Sequence, residues 1–190
     1  MFSEIVTHIR KFISLSDEEE ALLVSKLYVK DVKKKGHLLR AGEVCNDNYF
    51  IVQGCFRLYL VTSKGVEQVI QFGIEDWWIT DYASLKSGKP SDFYIQATEN
   101  SIVVVLNGKV QEELFEQIPQ LEKYLRLVLE KAYSAQLTRI HYIFNLTGEE
   151  QYRLMVKNYP GFVQRIPQYM LASFLGITPE FLSALRAKKE

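Results

Sequence analysis

The 190-residue chain has little of what most reactive centres are built from: two cysteines, three histidines and no excess of charge of either sign. Cys45 and Cys55 fall short of the four thiolates an iron–sulfur cluster usually takes, and read as buried reduced thiols. His8, His37 and His141 lie in three different segments, so the clustered histidines of a metal-binding β-scaffold enzyme cannot assemble. A Gly-x-Ser-x-Gly elbow, a phosphate-binding P-loop and a dinucleotide fingerprint are all missing. Catalysis is therefore not expected, and no metal or cofactor is implied. No run of about 18 apolar residues occurs, and the first eight residues lack the basic-then-apolar layout of a signal peptide. The expectation is a cytoplasmic, soluble protein with no membrane partner. Lys plus Arg total 23 and Asp plus Glu total 23, so any surface for a polyanion must be a local patch.

What is present supports a sizeable core, with 47% hydrophobic and 24% charged residues. Phe2, Ile5, Ile9 and Phe12 or Ile13 have helical spacing, and Ser16 with Glu19 forms a capping box that opens a second helix through Leu22, Leu23 and Leu27. Short β-prone runs follow at 28–32, 36–39, 48–53, 55–62, 66–72, 93–97 and 101–107, separated by Gly, Asn, Asp and charged turns. They predict an all-β sandwich or barrel, with Lys64-Gly65 at a hairpin tip and a sharp turn or close backbone approach at Gly54. Helical period returns near Val110, and residues 118–146 have one internal proline, Pro119, at their start. One long helix is expected there. Leu121, Leu125, Val128, Ala132 and Ala135 advance by three or four, continuing as Arg139 and Tyr142 or as Ile140 and Phe144. Such a stripe either packs on its own β domain or forms a two-fold dimer interface, and the helix length favours the dimer. Gly148 ends that helix, and a short one follows, stopped at Asn158-Tyr-Pro-Gly161.

The last stretch reads as a helix-turn-helix. Leu171 and Leu175 share a face of a first helix, Gly176 supplies the positive φ that ends it, and Ile177 drops back to the core. Thr178 is a good N-cap, Pro179 suits the first helical position, and Glu180 favours the positive end of the helix dipole. Leu182 and Leu185 point inward, and small Ala172 lets the two helices approach closely. An ordinary helical hairpin in a core is the alternative.

Layout and motifs together resemble the Crp/Fnr family of bacterial transcription regulators over essentially the whole chain. The carriers are Lys35-Gly-His-Leu-Leu-Arg-Ala-Gly-Glu43, then Tyr49-Phe-Ile-Val-Gln-Gly54 with Phe56-Arg-Leu-Tyr59, and Pro167-Gln-Tyr-Met-Leu-Ala-Ser-Phe-Leu-Gly-Ile-Thr-Pro-Glu180. The resemblance implies an α+β fold: an N-terminal double-stranded β-helix, or jelly-roll-like β-roll, with flanking helices over 1–117, a dimerisation helix over 118–146, and a small helix-turn-helix domain over 147–190 whose wing is short or absent. It implies a homodimer that binds double-stranded DNA, with an unidentified small-molecule effector as a further partner.

Two sites depart from the family pattern. Cyclic-nucleotide binders place a Gly-Glu pair and an Arg-Ser pair around the ligand, so that a helix N-terminus and a guanidinium neutralise the phosphate. Here Thr80 or Asp81 stands at the Glu position, and Ser91 and Asp92 at the Arg-Ser positions. A carboxylate there repels a phosphate, so cyclic AMP is not expected to bind. Trp77, Trp78, Tyr82, Phe93 and Tyr94 either line a pocket or fill the roll, and alternation along strands favours filling. On the DNA side, the positions that in the family commonly hold arginines carry Pro179 and Ala184. The reading surface left is Thr178, Glu180 and Ser183 for bases, with Arg186, Lys188 and Lys189 for phosphates. A sensor or scaffold dimer acting through protein contacts is the competing function.

Overall fold

The structure, a computed structural model, describes residues 2–187. Two helices come first, α1 (Phe2–Arg10) and α2 (Asp17–Ser25). The Ser16 hydroxyl accepts the Glu19 N–H while the Glu19 carboxylate accepts the Ser16 N–H, so both orphan donors at the start of α2 are satisfied. Eight strands follow: β1 (Tyr28–Val32), β2 (His37–Leu39), β3 (Asp47–Gln53), β4 (Phe56–Val61), β5 (Glu67–Gly73), β6 (Trp78–Ile79), β7 (Tyr94–Ala97) and β8 (Ser101–Asn107). A short helix, α3 (Tyr82–Ser87), sits between β6 and β7.

The strands form two four-stranded antiparallel sheets, ordered β1-β8-β3-β6 and β2-β7-β4-β5. Apart from the hairpin β4–β5, the chain crosses from one sheet to the other at each connection, which winds the pair into a roll. Gly54 (φ +103°) makes the tight approach between β3 and β4, where a Cβ would run into the Ser101 side chain. Tyr49, Ile51, Phe56, Leu58, Ile95, Val103 and Val105 fill the interior. On β8 the alternate residues Val104 and Leu106 face the other way, into a second core with Ile5, Ile9, Leu23, Leu114 and Ile118. That double burial explains why residues 102–106 are an unbroken apolar run.

The chain continues through α4 (Gly108–Gln117), capped by Asn107, and the 26-residue α5 (Gln120–Asn145). It closes with α6 (Gly148–Asn158), α7 (Pro160–Arg165), α8 (Gln168–Leu175) and α9 (Pro179–Ala187). Thr147 and Glu150 form a capping box for α6. The stop expected at Asn158-Tyr-Pro-Gly161 is a corner only: helix resumes at once, because Pro160 occupies a first-turn position where its fixed φ helps and its missing N–H costs nothing. Cys55, Tyr59, Val69 and Phe72 of the roll share a third core with Val163, Ile166, Leu171, Ala172, Leu175 and Leu182. Each fully buried side chain of this size contributes about 1.5–3 kcal/mol, so the C-terminal helices are held to the sheet by packing. The fold is mixed α+β: antiparallel roll, flanking helices, long helix, helical C-terminus.

Candidate nucleic-acid interface and ligand sites

The turn between α8 and α9 is built by backbone chemistry. Gly176 ends α8 in the left-handed conformation (φ +68°), and the N–H groups of Gly176 and Ile177 return to the carbonyls of Ser173 and Ala172 at 3.2 and 3.0 Å. Thr178 then caps α9, its hydroxyl accepting the Phe181 N–H at 3.1 Å. Ala172 and Leu182 are fully buried where the helices cross, and Leu185 is buried beside them. Thr178, Glu180, Ser183 and Arg186 are exposed together on the outer face of α9. Lys188 and Lys189 lie outside the described residues. Phe181 is exposed on α9 as well, a residue the sequence reading passed over. Its signal was available, since putting Leu182 and Leu185 inward turns Phe181 outward.

In the roll, the residues expected to surround a ligand separate into different environments. Thr80, Asp81 and Ser91 converge. Asp81 caps α3: one carboxylate oxygen accepts the N–H groups of Ala83 (3.0 Å) and Ser84 (3.3 Å), and the other accepts the Ser91 hydroxyl at 2.7 Å. Thr80 donates to the Asp47 carbonyl at 2.8 Å, and Ser84 donates to the Lys89 carbonyl at 2.6 Å while accepting the Cys45 N–H at 2.9 Å. Phe93 packs against the interior of the roll. Trp78 and Tyr82 point outward instead: the Trp78 indole N–H donates to the Tyr124 hydroxyl at 2.8 Å, and the Tyr82 hydroxyl accepts from Asn48 at 3.1 Å. Asp92 is exposed, and Trp77 faces a separate cavity. Tyr94 stacks on Tyr59 at 4.9 Å on the outer sheet face, next to Arg57, which is buried, paired with Glu67 at 2.6 Å and bonded to Gln96. Burial pushes the Cys55 thiol up to about 11, so it stays protonated and inert.

The long helix requires a correction. Leu121 and Leu125, expected to meet a partner, are buried in their own chain, and Val128 packs on the same core. Continued at helical period, that face runs through Ala132 to Ala135, Arg139 and Tyr142, and the last three line a cavity of about 400 Å³. Roll residues Phe72, Ile74 and Trp77 form one wall, and Leu154, Met155, Phe162 and Phe174 of the C-terminal helices another. The adjoining face is apolar and bare: Leu129, Tyr133, Leu137, Ile140, Ile143 and Phe144 are exposed, Phe144 at 82%. Of the stripe read from the sequence, Leu121, Leu125 and Val128 are covered by the chain's own core, while Ala132 and Ala135 are exposed.

Residues 29–118 match the family model of the cyclic nucleotide-binding domain. Among solved structures, FixK2 from Bradyrhizobium japonicum is similar at 15% identity, with 85% of this chain and 83% of that chain covered and a TM-score of 0.74. The c-di-GMP-responsive global regulator CLP of Xanthomonas campestris is similar at 11% identity, 91% coverage of both chains and a TM-score of 0.73. A chain of the crp/fnr family of transcriptional regulators from Eubacterium rectale is 14% identical, with 90% and 82% covered and a TM-score of 0.69. No curated protein is significantly similar in sequence. Among the described residues, no helix is long and apolar enough to cross a membrane.

Proposed function

From a chain that carries a cyclic nucleotide-binding domain in the Crp/Fnr fold, we propose a homodimeric, DNA-binding transcription regulator of the bacterial cytoplasm, without catalytic activity. Its units are the roll (1–117), the dimerisation helix (118–146) and the DNA-binding domain (147–190). The observation that carries the reading is the α8–α9 pair, a tight left-handed turn at Gly176 with Ala172 buried at the crossing and an exposed face of Thr178, Glu180, Phe181, Ser183 and Arg186. Glu180 would accept from a cytosine amino group, Phe181 would contact a thymine methyl, and Arg186 would meet phosphate. The dimer would close through Leu129, Tyr133, Leu137, Ile140 and Phe144, exposed apolar groups that water leaves without a partner. The roll would not take cyclic AMP, since the Asp81 carboxylate already occupies the start of α3 where a ligand phosphate belongs.

The test is retention of genomic DNA fragments by the purified protein at two salt concentrations, followed by sequencing. A two-fold symmetric motif with half-sites about one helical turn apart is expected. Glu180→Ala should relax the motif, and the double change Tyr133→Glu with Ile140→Glu should leave a folded monomer in ultracentrifugation that retains no symmetric motif. Retention without a motif that collapses as salt rises would overturn the reading. It would favour the sensor or scaffold dimer, a second reading supported by Pro179 and Ala184 standing where relatives commonly present arginine.

A further inference from the structure

We propose that the cavity between the roll, α5 and the C-terminal helices binds a small apolar monocarboxylate, held through its carboxylate by Arg139. At about 400 Å³ it lies in the size range of small-molecule sites, about 300–1,000 Å³. It is separate from the roll interior, which is filled by side chains around Tyr49, Phe56 and Ile95. Phe72, Trp77, Phe162, Phe174 and Leu154 make its walls mostly apolar and aromatic.

Arg139 is the one charged residue lining it among the described residues. One of its terminal nitrogens donates to the Ile70 carbonyl, the other donates to the Phe174 carbonyl at 3.0 Å, and the guanidinium lies over the Phe174 ring at 3.8 Å. Both carbonyls need such a donor. The β4–β5 register passes from Leu58↔Gln71 to Tyr59↔Val69, which leaves Ile70 bulged without a cross-strand partner. Phe174 is in the last turn of α8, where carbonyls lack helical partners. These bonds orient the guanidinium without removing its charge. No carboxylate faces it among the described residues, and burial alone acts on it, pushing it down to about 10, so it remains a cation at neutral pH. A guanidinium carries more donors than the two used here, in a fork that matches a carboxylate.

That combination selects the ligand class. A neutral apolar molecule would cover the cation and leave it desolvated and unpaired, and a phosphate dianion would leave a net negative charge there; one carboxylate cancels one guanidinium. The apolar remainder of the ligand takes the aromatic walls. This inference stands on the cavity alone and needs neither DNA binding nor a dimer.

Calorimetric titration of the full chain with decanoate, decan-1-ol and acetate tests it. Decanoate should bind saturably at one site per chain, about tenfold or more tighter than decanol, with acetate silent. Arg139→Met should erase the preference for decanoate over decanol. Ala135→Trp keeps Arg139 but fills the cavity from an exposed helix position, so it should weaken decanoate about tenfold or more with an unchanged thermal melt; it decides the question should Arg139→Met not fold. Absence of saturable binding, equal affinity for decanoate and decanol, or full decanoate binding by Ala135→Trp would overturn the proposal. Loss of DNA retention with decanoate binding intact would sink only the regulator reading.

Discussion

Asp81 and Arg139 are electrostatic mirror images. The first is a buried carboxylate at the N-terminus of α3, the second a half-buried guanidinium at the C-terminus of α8, and each rests on backbone dipoles instead of a counter-ion. They differ in what is left over. Both Asp81 oxygens are taken, by two backbone N–H groups and the Ser91 hydroxyl, inside a closed roll. Arg139 spends two bonds on carbonyls and still faces an open cavity with donors to spare. A buried charge whose bonds are complete is part of the scaffold, whereas one with unused bonding capacity beside empty space is equipped for a visitor.

The contrast breaks first at Asp81. Asp81→Ala removes an N-cap, worth about 0.5–2 kcal/mol, and takes the short acceptor from the buried Ser91 O–H, leaving it only the Phe93 carbonyl at 3.5 Å, a loss worth about 1–3 kcal/mol. Urea unfolding should therefore show a loss of about 1.5–5 kcal/mol; a loss no larger than for an exposed substitution would show that Asp81 is not structural. Arg139→Met should cost less, about 1 kcal/mol, because the two carbonyl bonds that vanish are offset by release of a desolvated cation. A cost equal to that of Asp81→Ala would make Arg139 scaffold too and erase the difference between the two sites.

The smallest effect concerns His8, a titratable group that can respond to burial by staying neutral. It bonds the Tyr124 hydroxyl at 2.8 Å. Burial holds its pKa below the ordinary value, with Asp76 acting upward and Lys11 and Lys131 downward. As pH falls the unfolded chain takes the proton first, near about 6.5, so stability present above that pH drains away below it. His37 is shifted in the same direction, chiefly by burial. A shallow decline in urea midpoint below about pH 6.5 is expected, made shallower by His8→Gln; a midpoint unchanged by that substitution would assign the slope to His37 or to the carboxylates.

Local rules made the C-terminal hairpin legible: Gly176, Thr178, Leu182 and Leu185 take the conformations and faces that their spacing dictates. The strands were legible for the same reason, as alternation and turn residues coincide. The two faces of α5 were not, because both are apolar and only the neighbouring roll decides which is covered. Arg139 carried a signal, a charge in register with Leu121, Leu125, Val128, Ala132 and Ala135, but its meaning depended on a cavity whose walls come from residues 71–77, 135–142, 151–162 and 174–175. The Asp81–Ser91 bond likewise joins positions ten residues apart across α3, and nothing in their spacing announces it.

β5 ends its sheet, and α8 covers that margin: Ser173 donates to the Glu67 carbonyl at 2.8 Å and accepts the Val69 N–H at 3.0 Å, while the Gln68 side chain donates to the Ser173 carbonyl. The serine hydroxyl thus stands in for the strand that a sheet edge would otherwise recruit. Any rearrangement that lifts the C-terminal helices off the roll bares an unpaired row of amides and carbonyls, the usual template for strand addition between molecules. The freed state therefore carries an aggregation hazard, and the protein is safest when such excursions are brief or end with the exposed edge covered again.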